Sequence, residues 1–197
     1  MRRTDIINSL IHRFGYTSYL EIGVQFPKSN FDNIIAEHKV SVDPVPEGPC
    51  TFIGTSDAYF DSISSDTSFD IIFIDGLHEH EQVLKDIDNS LKHLSPNGTI
   101  VCHDCLPTSE HMQLRDDHGK EWTGDVWKAI AILRTTVEDL NIKVIDTDYG
   151  CGIIRKGTNN RYIPTGNYLT YEYYAQHRQN MLNVISTDEF VQWINTQ

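Results

Sequence analysis

The sequence predicts an α/β protein, a doubly wound and mostly parallel sheet with a C-terminal helical extension. Three observations carry this. Short apolar runs alternate with amphipathic helical stretches through residue 140. FDIIFIDG, Phe69 to Gly76, holds the unbroken apolar segment Ile71 to Ile74, as in a strand buried on both faces. Almost every strand-like run ends in a carboxylate, a histidine or a glycine.

In chain order, residues 4–14 predict a helix, because Ile6, Ile7, Leu10, Ile11 and Phe14 recur at helical spacing and Gly15 ends them. SYLEIGV, Ser18 to Val24, predicts the first strand. FPKSNFDNIIAEH predicts a turn and a short helix with Phe31, Ile34 and Ile35 inward. KVSVDP gives a second strand ending at Asp43, CTFIG a short third strand, and Thr55 to Ile63 a capped helical turn. Residues 79–94 predict a helix with Val83, Leu84, Ile87, Leu91 and Leu94 on one side. SPNG reads as a turn, and TIVCHD as a strand closed by Asp104. The polar loop 105–124 has no periodicity, which marks a lid or a disordered segment; His111, Asp116, Asp117 and His118 read as its solvated residues. A helix over 125–140 and a hairpin turning at Thr147–Asp148 follow. Composition shifts near residue 157. Residues 1–157 read as the main domain, and 158–197 as a helical extension packed on it, with a helix over Tyr171–Ile185 and a capping box at Ser186 and Glu189.

The chain has 197 residues, enough for one such domain with a sizeable core. No apolar run approaches the ~20 residues of a membrane span, and no signal-peptide core is present. A net charge of −12, with no basic cluster longer than a pair, disfavours nucleic acid and anionic membranes. Four scattered cysteines fit a reduced, cytoplasmic protein. A small-molecule or carbohydrate partner is the reading left. The aromatic C-terminal helices are read as a homodimer surface or as a cover over an acceptor pocket.

In doubly wound sheets, ligands bind outside the carboxyl ends of the strands. The residues predicted there are Glu21 and Gly23, Asp43, Ser56 and Asp57, Asp75, Gly76 and His78, and His103 and Asp104. Each has an ordinary reading: Glu21 as an edge residue paired with a cation, Asp43-Pro44 and Asp75-Gly76 as turn pairs, His78 as a helix cap. Five strand ends delivering such groups to one rim are poorly explained by turns alone. An acid at the second strand tip can accept both hydroxyls of a ribose, and Glu21 to Asp43 is near the spacing of dinucleotide enzymes. The phosphate-cradling glycine fingerprint is missing, because Gly23 is followed by Val24, Gln25, Phe26 and Pro27. The ligand is expected to carry a ribose and to need no phosphate.

EIGV, VDP, TSDAYF, FDIIFIDGLHEHEQV, HDCLP and GDVWKAI, in that order, resemble the class I S-adenosylmethionine-dependent methyltransferases. The likeness is to the small bacterial branch found among sugar and natural-product modification enzymes, and it spans about residues 15 to 155. It implies a Rossmann-like fold with S-adenosyl-L-methionine as cofactor. Glu21, Ile22, Gly23 and Val24 would turn around its methionine part and Asp43, with Pro44, would hold the ribose. Ser56 and Asp57 would flank the adenine, with Asp75 and Gly76 completing the cofactor side. In-line methyl transfer needs alignment, and a hydroxyl acceptor also needs a base. His78 is the expected base, with Asp104 preferred over His103 as the second residue at the transfer site. The resemblance also raises a divalent metal such as Mg²⁺ on Asp75 and Asp104, although Cys105 is a poor ligand for a hard cation. Zinc at Cys102-His103-Asp104-Cys105 is disfavoured, with Cys102 read as core. Trp122 reads as a cover over an acceptor ring, and Trp127 as either core or acceptor-facing. The rival functions are a silent ligand-binding or scaffold protein of the same fold, and a nicotinamide oxidoreductase.

Overall fold

The computed structural model describes residues 1–116 and 121–196. The expected lid residues Asp117 and His118 lie outside them. Eight strands form one sheet in the order β3-β2-β1-β4-β5-β7-β6-β8. They are β1 (Ser18–Ile22), β2 (His38–Asp43), β3 (Phe52–Ile53), β4 (Phe69–Ile74), β5 (Leu94–Cys102), β6 (Leu140–Ile145), β7 (Cys151–Lys156) and β8 (Val184–Ile185). All pairings are parallel except those of β7, which runs antiparallel to both β5 and β6. The strand order reverses at β1, with β2 on one side and β4 on the other, so a crevice opens at their carboxyl ends.

Six helices cover the sheet: α1 (Arg3–Phe14), α2 (Ser56–Ser62), α3 (His80–Lys92), α4 (Trp127–Thr136), α5 (Tyr171–Met181) and α6 (Thr187–Thr196). α1 and α6 pack on one face, where Ile6, Ile7, Leu10 and Phe190 meet Tyr19, Ile71 and Phe73. α2 to α5 pack on the other, where Val83, Ile87, Trp127 and Tyr174 meet Leu20, Ile72 and Ile74. The apolar β4 run is explained by these two layers, since neighbouring residues face opposite cores. Among the described residues, no helix is long and apolar enough to cross a membrane.

Four expectations change. Residues 26–38 form no α-helix; two single 3₁₀ turns, Pro27–Ser29 and Phe31–Asn33, stand there. The segment is too short to nucleate a helix stably, and the Asn30 side chain is committed to Glu21. Ile34 is inward, but Ile35 is exposed. SPNG is not a turn between elements. Ser95 to Gly98 bulge within β5, where pairing passes from Phe69–Leu94 to Ile71–Thr99. The helix expected over 125–140 spans only Trp127–Thr136, and Asp125 lies ahead of it: its Oδ1 accepts the His80 N–H at 2.9 Å, so it caps the start of α3. The helix expected over Tyr171–Ile185 stops at Met181, Asn183 takes a positive φ of 54°, and Val184–Ile185 extends the sheet beside β6. The capping box at Ser186 and Glu189 forms as expected.

Phe190 is fully buried between α6 and α1. Phe190→Ala is expected to lower the unfolding free energy by about 3–5 kcal/mol. Urea denaturation checks this, and a loss below about 1 kcal/mol would mean that α6 does not seal this face.

Candidate active site

All twelve residues expected at the site line one cleft of about 1080 Å³ at the carboxyl ends of the parallel strands. Gly23 makes the crevice tight. It follows β1 with φ +86°, and a Cβ there would lie 2.1 Å from the Asp75 carbonyl oxygen. Only glycine fits both the conformation and the close approach. Asp75 N donates to Ile22 O at 2.9 Å, tying the end of β1 to the end of β4.

Glu21 lies on the floor and is 2% exposed. Among the described residues, no Lys or Arg pairs directly with it. Tyr19 Oη donates to its carboxyl, and Asn30 Nδ2 donates at 3.0 Å. Burial pushes its pKa up to about 7, although both hydrogen bonds favour the charged form. Asp43 closes β2. Its Oδ2 accepts from Gln25 N at 2.9 Å and its Oδ1 from Val45 N at 2.7 Å. Each oxygen keeps a second lone pair for a ligand. Ser56 and Asp57 open α2 at the rim. Gln82 Nε2 donates to both, and Lys85 pairs with Asp57 at 2.6 Å.

At the other end of the cleft, six charged or titratable side chains meet. His78 Nε2 lies 3.4 Å from Asp75 Oδ1, and His78 Nδ1 lies 3.4 Å from Asp104 Oδ2. His103 Nδ1 lies 3.2 Å from Asp75 Oδ1 and 3.2 Å from Asp104 Oδ1. Arg3, from the first turn of α1, donates to Asp75 Oδ2 at 2.7 Å and to Asp148 Oδ2 at 3.0 Å. Asp148 comes from the β6–β7 turn, where Asp148 and Tyr149 both take positive φ. Burial opposes charge on His103, yet Asp75, Asp104 and Asp148 raise its pKa well above the ordinary imidazole value. Burial likewise opposes charge on Asp75, but the two imidazoles hold its carboxyl well below the usual range. His78 follows the same pattern: burial lowers its pKa, and Asp75 and Asp104 more than restore it.

Arg3 and Asp148 were not expected here, and His103 was expected only as the alternative to Asp104. Alternation predicts that His103 faces away from Asp104, but β5 ends at Cys102 and Asp104 takes φ +60°, so both reach the cleft. Arg3 carried only the signal of a helix start, and Asp148 that of a turn. Trp122 stacks on His78 at 4.7 Å and 20°, while Trp127 is fully buried in the core. Lys128 pairs with Asp125. Cys105 is buried and its Sγ donates to Cys102 O at 3.3 Å, so it offers no ligand to the cleft.

Donor atoms of Asp75, His78 and Asp104 lie within 4.8 Å of one another, a spacing that a divalent ion can bridge. The surroundings do not fit one. His103 Nδ1 stands between the two carboxylates and Arg3 holds the second oxygen of Asp75.

Residues 16–105 match a family described as a methyltransferase domain. No curated protein matches the chain. Similar solved structures include a protein designated a caffeoyl-CoA O-methyltransferase from Staphylococcus aureus, at 19% identity and TM-score 0.56, covering 78% of this chain and 82% of that one. The O-methyltransferase TomG from Streptomyces achromogenes, in complex with SAM, matches at 14% identity and TM-score 0.56, over 77% and 78% of the two chains. An O-methyltransferase from Bacillus cereus, in complex with SAH, matches at 13% and 0.54, over 79% and 82%.

Glu21 yields a pH prediction. Its folded pKa of about 7 exceeds the ordinary 4.5, so the folded state binds the extra proton. Stability is full below pH 4.5 and is lost as pH rises through 7, by about 3 kcal/mol in all. Glu21→Gln is expected to flatten that fall; identical pH dependence in the variant would contradict the assignment.

The strand order and the crevice at the β1–β4 switch point thus belong to a doubly wound α/β fold whose residues 16–105 are similar to a methyltransferase domain.

Proposed function

We propose that this protein transfers a methyl group from S-adenosyl-L-methionine to a hydroxyl oxygen of a small-molecule or carbohydrate acceptor. The observation that carries this is one cleft lined at one end by Glu21, Gly23 and Asp43 and at the other by His78 and Asp104. The domain match, and the O-methyltransferases among the similar structures, support the same reading.

The residues fit the cofactor. Asp43 keeps lone pairs for two ribose hydroxyls, and Glu21 offers a carboxyl to an ammonium. The tight turn at Gly23 keeps side chains out of the crevice. No cradle of bare amides for a pyrophosphate follows Gly23, which is why a nicotinamide dinucleotide fits less well. When bound, the cofactor supplies an electrophilic methyl on a sulfonium.

The chain's part is alignment and proton removal. Asp75, 3.4 Å from Nε2, orients the His78 ring, and Asp75 and Asp104 raise its basicity. Its Nδ1 makes no hydrogen bond among the described residues, so it can take the proton of an acceptor hydroxyl as the oxygen attacks. Asp104 then stabilises the imidazolium. Trp122 lies flat on the ring and keeps water from it. The −12 net charge favours neutral or cationic acceptors over polyanions.

His78→Gln is expected to lower kcat on a hydroxyl acceptor by about 10²–10⁴-fold, with S-adenosylhomocysteine affinity unchanged. The acid limb of the kcat profile is expected above the ordinary imidazole value of 6.5, because the folded pKa is raised. Unchanged turnover in the variant would remove His78 as the base.

A further inference from the structure

The chain's own cations stand where a divalent ion would bridge the two strand-end carboxylates. His103 Nδ1 is 3.2 Å from both Asp75 Oδ1 and Asp104 Oδ1. The ring is 2% exposed, and its backbone N–H is fixed to Ile74 O at 3.0 Å. Arg3 takes the other oxygen of Asp75 at 2.7 Å, and its Nη1 lies 3.2 Å from His103 Nδ1. A guanidinium is permanently charged and cannot be displaced as a proton can. Arg3 is itself anchored, because its backbone N–H and its Nε both donate to Asp148 Oδ2, at 2.9 and 3.0 Å. A metal ion at this point would have to part His103 from both carboxylates and sit close to a fixed positive charge.

We propose that Arg3 and His103 are a positioning pair that replaces a divalent metal at this site, so that methyl transfer here is metal-independent. The proposal rests on the methyltransferase reading for its function, but not for its geometry. Arg3 and His103 hold Asp75 and Asp104 at the separation that seats His78 between them. Proton removal by His78 then proceeds without a Lewis acid. The acceptor class follows. A metal-dependent site can orient its acceptor by binding acceptor oxygens to the ion, with water in the remaining positions. This site needs one hydroxyl within reach of His78, so a monohydroxyl acceptor suffices.

The test is Mn²⁺ titration of the full chain, followed by electron paramagnetic resonance, for wild type, Arg3→Met and His103→Asp. Arg3 is partly exposed at the first residue of α1, so Arg3→Met keeps the test alive if His103→Asp does not fold. Thermal melts report folding in each case. Wild type is expected to bind no Mn²⁺ in the range where a folded variant does, with that variant tighter by ~10-fold or more. Mn²⁺ bound stoichiometrically by wild type would overturn the proposal. Failure of every folded variant to gain affinity would overturn it too, since the pair would not be what fills the seat. Neither arm uses a methyl donor, so the result stands apart from whether the chain transfers methyl groups.

Discussion

The cleft depends on the close approach of β1 to β4. Asp75 N bonds to Ile22 O, and Gly23 turns away with φ +86° against the Asp75 carbonyl. The two strands end in register at this contact, Ile22 beside Ile74, and the chain after β1 turns aside there, at the switch point where the crevice opens. The parallel register then brings Glu21, Asp43, Asp75 and Asp104 to one rim, because each sits at or just past the end of its strand. A larger residue at Gly23 would push against backbone rather than a flexible side chain. One constraint at residue 23 therefore governs the spacing of the whole site.

Gathering carboxylates carries an electrostatic cost. Desolvating several like charges is unfavourable by several kcal/mol per ion unless they are paired and hydrogen-bonded. Two solutions appear in the same cleft. At the β1 end, burial favours the protonated form of Glu21, against the hydrogen bonds that Tyr19 and Asn30 donate to it. At the β4–β5 end, Asp75, Asp104 and Asp148 are matched by Arg3, His78 and His103. The second solution makes the site composite. α1, β4, β5 and the β6–β7 turn each contribute a charge, and none of them forms the cluster alone. Loss of any one partner would leave a buried charge uncompensated.

Much of this was legible in the sequence, for physical reasons. β4 announced itself because a strand covered on both faces must be continuously apolar, and the rim residues followed from the rule that parallel strands end together. What was hidden lay in long-range pairing and in residues outside regular structure. Arg3 lies seventy-two positions from Asp75, and nothing in a helix N-terminus says which distant carboxylate its side chain meets. His103 was ranked below Asp104 by strand alternation, which lapses one residue past β5. Asp148 was hidden by a turn whose two positive-φ residues are not glycine. The two-residue β8 is too short to carry a period, and the SPNG bulge uses the residues of an ordinary turn. Asp125 shows that a capping residue can serve a neighbouring helix rather than its own.

The most direct measurement of the central claim is calorimetric titration of S-adenosylhomocysteine into the wild type and Asp43→Ala. The account predicts one site per chain in the wild type, weakened ~10-fold or more in the variant, the ~1.4 kcal/mol of a lost hydrogen bond to a charged group. No binding to the wild type, or equal binding to both proteins, would contradict it.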